Sequence, residues 1–180
     1  MIKFIFRSVA VLFFCATLLF SQTQIESISD ISLAPVSTFK NFCSRCHGEE
    51  GSSYGKTFGK LKEDSLLTIT EDMMFGPGGL NPSKTEVLLM ADYNKSLPGR
   101  NPFGTILNLN SFLNGKDKYL KIETSPNTEL KTDNEDIIIK KQKDIFELSF
   151  DSSKIKSAKI SFYRNGKLSS IDFPGEVWTH

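Results

Sequence analysis

Histidine, tryptophan and cysteine are scarce in this chain, at two, one and three among 180 residues. Three cysteines exclude a disulfide-dense secreted scaffold. Two histidines, one of them the last residue, exclude a multi-histidine metal site. The apolar run over residues 9–20 falls short of the roughly 20 residues a comfortable span needs, so a multi-span membrane protein is excluded. No long block of one charge sign occurs; 22 basic residues face 21 acidic ones, and a nucleic-acid partner is not expected. What remains is an ordinary globular composition, 39% hydrophobic and 24% charged, long enough for one domain or two small ones.

Lys3 and Arg7 precede the apolar run, and Ser21 stands before the polar Gln22. That pattern is a secretory signal peptide over residues 1–21, followed by a leader over residues 22–35. Left uncleaved, the segment would be an anchor, the one route by which membrane contact is expected. Cys15 is unsuited to lipid attachment because the bulky Phe13 and Phe14 precede it. Cleavage after Ser21 leaves 20 basic against 21 acidic residues. The expected location is the periplasm of a bacterium, or an otherwise exported state.

The exported chain keeps Cys43 and Cys46, in the string Cys43-Ser44-Arg45-Cys46-His47. Cys-x-x-Cys-His is the attachment motif of c-type haem. Two thiols three positions apart at a helix end can each add to a vinyl group on one porphyrin edge, and the next residue then holds its imidazole beneath the iron. Zinc would need a fourth ligand, and a thioredoxin-like redox pair would need a βαβ setting that the flanks lack. The expected cofactor is therefore one covalent haem c with its iron, His47 being the proximal ligand.

Around the motif the pattern is helical. Residues 36–42 follow Pro35 and carry Phe39 and Phe42, predicting a short helix that ends at the cysteines. Residues 48–59 are rich in glycine and hydroxyls and predict a loop. Leu66, Ile69 and Met73 form a stripe predicting a helix over residues 65–74, stopped by Gly76-Pro77-Gly78-Gly79. Ser83 and Glu86 form a capping box before a last helix that Pro98-Gly99 ends.

The stretch from Pro35 to Pro98, about a third of the chain, resembles a class I c-type cytochrome domain. Phe39 stands four before the first cysteine; Cys43-Ser-Arg-Cys46-His47-Gly48, a glycine-containing loop, a methionine and a final helix carrying Tyr93 follow. The resemblance implies an axial methionine shortly before the last helix, where Met73 and Met74 stand. The stripe with Leu66 and Ile69 favours Met73, with Met74 the alternative; Met90, inside the last helix, reads as core, and His180 is terminal. Many such domains have a proline after the motif, and none occurs here between His47 and Met73. Tyr54, Lys56 and Arg100 are candidates to meet the haem propionates, surface exposure being the other reading.

Beyond Gly99 the residues at 100–118 show no sustained period and read as a linker. From Tyr119 alternation has period two, with strands predicted near residues 119–123, 136–140, 145–150, 159–163 and 168–173. Asn165-Gly166 marks a tight hairpin, and residues 155–173 faintly resemble the middle strands of immunoglobulin-like sandwiches. The expected fold is a mainly α cytochrome c haem domain over residues 36–99 and a small antiparallel β module over residues 119–180. The expected function is electron carriage between redox proteins such as a dehydrogenase or oxidase-type complex, without enzymatic activity. The alternative is a haem-based sensor or gas-binding protein with a displaceable methionine.

Overall fold

A computed structural model describes residues 30–55, 58–151, 155 and 157–174. The signal peptide, Lys56, Trp178 and His180 lie outside the described residues.

Pro35 at the first helical position opens α1 (Pro35–Thr38), where its missing N–H costs nothing. The run continues through a π-helical turn (Phe39–Cys43) into α2 (Ser44–His47), and Gly48, at φ 75°, ends it. Then come α3 (Glu63–Phe75) and α4 (Lys84–Ser96). The capping box of α4 is complete, with the Ser83 hydroxyl accepting from the Glu86 N–H and the Glu86 carboxylate accepting from the Ser83 N–H. The second carboxylate oxygen of Glu86 accepts from the Ser32 N–H, the Ser32 hydroxyl and the Leu33 N–H, tying the incoming chain to α4. Val36, Phe39, Met74, Val87, Met90, Tyr93, Leu97 and Phe103 form the core of this helical layer. Phe39 and Tyr93 meet edge to face at 5.7 Å.

The rest is a sandwich of seven strands. They are β1 (Gly104–Ile106), β2 (Leu120–Thr124), β3 (Glu129–Thr132), β4 (Ile138–Gln142), β5 (Ile145–Ser149), β6 (Ser157–Arg164) and β7 (Lys167–Pro174). All pairings are antiparallel, in the orders β1-β2-β5-β4 and β3-β6-β7. That is the strand arrangement of a constant-type immunoglobulin sandwich. Here no cysteine stands on β2 or β6, and an apolar core joins the sheets: Leu120, Ile122, Phe146 and Leu148 of one face Leu130, Ala158, Ile160 and Phe162 of the other. Arg164 pairs with Lys167 in the ladder, so Asn165 and Gly166, both at positive φ, form the whole β6–β7 turn.

The expectation of a mainly α cytochrome c haem domain followed by a small β module is overturned. The molecule is mostly β, seven strands in two antiparallel sheets with a few short helices. Among the described residues the helices are short, with α3 and α4 spanning 13 residues each and the run bearing Cys43 passing through a π-helical turn, and the larger apolar core lies between the sheets. The stretch 100–118, which showed no period, carries β1 and the short helix α5 (Leu109–Leu113). Alternation is unreadable in three residues, and β3 is nearly as short and mostly polar. Among the described residues no helix is long and apolar enough to cross a membrane.

Two consequences are measurable. A Cβ on Gly104 would stand 2.4 Å from the Phe162 ring across the sandwich, so Gly104→Ala is expected to cost about 1–3 kcal/mol in urea unfolding. Burial would push the Glu86 carboxyl up, but the donors from Ser83, Leu33 and Ser32 outweigh it and hold the group at about 2, below the ordinary 4.5. A depressed carboxyl stabilises the fold above its unfolded value, and that stability is lost as pH falls toward 2. Melting temperature should therefore drop steeply below about pH 4.5, and Glu86→Gln should lower it at neutral pH while flattening that acid limb.

Candidate cofactor site

The helical run 35–47 delivers Cys43, Cys46 and His47 to one end of the helical layer. In its widened turn the Ser44 hydroxyl donates to the Lys40 carbonyl at 2.7 Å. Both thiols are free; Cys43 is half-buried and Cys46 exposed. Burial pushes the Cys43 thiol up, and the neighbouring Cys46 adds to the shift.

Cys43 and His47 line a cavity of about 50 Å³ whose other walls come from Tyr54, Phe58, α3 and α4. Met73, Met74 and Met90 all reach it, as do Ile69, Thr70 and Asn94. The sequence stripe predicted Leu66, Ile69 and Met73 as the inner face of α3, whereas the buried residues are Leu66, Thr70 and Met74. Met73 is 45% exposed and Ile69 38%, at the mouth of the cavity; Met74 and Met90 are 2% and 1% exposed and packed in the core. The carbonyls of Met73 and Met74 accept from the N–H groups of Gly78 and Leu80, which ties down this end of α3.

Tyr54 lines the same cavity, its ring 4.9 Å from the His47 imidazole and stacked on Phe58 at 3.9 Å. Its hydroxyl donates to Asn94 Oδ1 at 3.0 Å, and Asn94 Nδ2 reaches Thr70 Oγ1 at 3.5 Å. Burial, reinforced by Cys43, pushes the Tyr54 phenol well above its ordinary value. The polar chain Tyr54–Asn94–Thr70 was invisible in the sequence, where its only trace is a polar residue on the inner face of each of two amphipathic helices. Arg100 lies elsewhere: it is exposed, at φ 47°, and lines a separate cavity of about 970 Å³ between the helical layer and the sheets.

The donor set suits a covalently held haem: two free thiols and an imidazole on one helical turn, and a half-exposed thioether on the cavity that Cys43 and His47 line. The space is small for a porphyrin, and the stacked Tyr54–Phe58 pair occupies the room beside His47, so these rings must move aside for one to seat. Among the described residues no three His, Cys, Asp or Glu side chains surround a position for a bare metal ion. No family model, no curated protein and no solved structure matches the chain.

The two neighbouring methionines should separate in stability. Met74→Ala removes a core side chain and is expected to cost about 2–5 kcal/mol in urea unfolding of the haem-free chain. Met73→Ala should stay within about 0.5 kcal/mol.

Proposed function

We propose that this chain is an exported monohaem c-type cytochrome that passes single electrons between redox proteins. The observation that carries the reading is the convergence of Cys43 and His47, of the Cys-x-x-Cys-His string, with three methionines on one cavity. It rests on the motif and the cavity, not on a cytochrome c fold. Cys43 and Cys46 would hold the macrocycle through their thiols, and His47 and Met73 would supply the nitrogen and sulfur ligands to its iron. When bound, haem supplies a one-electron iron couple, whose potential a thioether ligand raises.

The chain's own residues prepare that site. The Tyr54–Asn94–Thr70 chain satisfies polar groups inside the helical layer and braces α3 against α4. Met73 can swing without opening a core cavity, because it is not part of the packed set. Ile69 and Met73 are apolar surface that a porphyrin face would cover. The proposed partners are a redox donor and acceptor in the periplasm. The exposure of Met73 also favours the second reading, a gas-binding sensor whose thioether is displaced.

Expression with haem-attachment machinery decides between these. Denaturing mass spectrometry should give the mature chain plus one haem, and Cys43→Ala with Cys46→Ala should abolish it. A bare polypeptide mass from the unaltered sequence would overturn the proposal. Met73→Ala should lower the potential and admit carbon monoxide, while Met90→Ala should leave the sixth position closed. Ready carbon monoxide binding by the unaltered protein would select the sensor.

A further inference from the structure

We propose that Arg164 is a positioning residue for His47, holding from β6 the turn that fixes the histidine backbone. The inference rests on the reading of His47 as proximal ligand. Arg164 Nη2 donates to Glu50 Oε1 at 2.5 Å, joining the second sheet to the loop three residues beyond His47. The Arg164 side chain is 2% exposed and that of Glu50 24%. Arg164 Nε and Nη1 are buried with no partner among the described residues. A guanidinium taken out of water with two nitrogens unsatisfied is a poor way to gain stability, since an apolar residue of similar size commonly serves as well or better. Such a pair is better suited to fixing where Glu50 stands.

Glu50 needs fixing. It sits at φ 51°, a conformation L side chains adopt reluctantly, between Gly48 and Gly51 at 75° and 69°. The turn closes on His47 itself, because the Ser53 N–H donates to the His47 carbonyl at 2.9 Å and the Tyr54 N–H to the Gly51 carbonyl at 2.8 Å. Tyr54 then lays its ring against the imidazole. Arg164 thus acts on His47 through Glu50, the turn and Tyr54. Lys167, on the adjacent strand β7, makes a second link to the helical layer, donating to the Gly99 carbonyl and to Asn101 Oδ1. It does not touch the turn, so it is the internal control.

The test uses the full chain, first without haem. Hydrogen exchange at the Ser53 and Tyr54 amides should accelerate about tenfold or more in Glu50→Gln and Arg164→Gln, and not in Lys167→Ala. Arg164→Lys, which keeps one cation against Glu50, should restore part of the protection. Glu50→Gln is near-isosteric and partly exposed, so it carries the test if Arg164→Gln does not fold. In haem-loaded protein with Met73→Ala, Glu50→Gln should move the iron–histidine stretching band and Lys167→Ala should not. Unchanged exchange in Glu50→Gln, or equal effects from Lys167→Ala, would overturn the proposal. Failure to attach haem would instead sink the functional reading, and the exchange result would still decide whether Arg164 holds the turn.

Discussion

The molecule turns on a buried carboxylate. Glu123 of β2 is fully enclosed and accepts from the Val36 and Ser37 N–H groups at 2.9 Å, and from the Ser37 hydroxyl. A helix start leaves N–H groups without internal partners, and a carboxylate there satisfies them while meeting the favourable end of the backbone dipoles. Here the cap comes from 86 or more residues away, out of a different layer. Burial raises the Glu123 carboxyl, so desolvation outweighs the donors, and an empty or misplaced cap would leave both partners unsatisfied. The start of the helical run that ends in Cys43, Cys46 and His47 is thereby set by the sheet.

From that anchor the division of labour between apolar and polar contacts follows. Each layer has its own apolar cluster, one between the sheets and one among the helices. What joins the layers is largely polar and sparse: Glu123 to α1, Arg164 to Glu50, Lys167 to Gly99 and Asn101, and the Ile31 N–H to the Leu107 carbonyl. Apolar packing tolerates sliding, whereas a charged hydrogen bond has direction. Few such contacts suffice to orient two preformed cores, and two of them bracket the segment from α1 to the turn after His47.

The sequence was most informative where a local rule acts alone. Asn165-Gly166 announced its hairpin because both central positions need positive φ, and Ser83 with Glu86 announced α4 because the capping box closes within four residues. Cys43, Cys46 and His47 stood out as candidates through a fixed spacing, and Cys43 and His47 line one cavity. It was least informative where a distant partner decides. Leu66, Ile69 and Met73 satisfy a helical period as well as Leu66, Thr70 and Met74 do, and it is the second set that is buried, Met74 in the apolar core and Thr70 within reach of Asn94 on α4. β1 owes its place to pairing with β2. Glu123, Arg164 and Glu50 read as ordinary surface charges in alternating or polar sequence, since nothing local marks a charge as buried.

The overturned expectation of a mainly α haem domain has the same origin. Local signals around the motif are helical, and they were extended to a whole fold whose core such helices would have to supply. The helical layer instead borrows Phe103 from beyond its last helix and its cap from β2. A short helical layer with a cleft at one end needs support, because a cavity removes contacts that a packed core would make. The two sheets provide it: their core is separate from the cluster that α1, α3 and α4 build, so the segment bearing the thiols and the imidazole can be held by direction-specific polar contacts and need not bury itself fully. That leaves Ile69 and Met73 open at the cleft and Cys46 exposed on the helical run beside it.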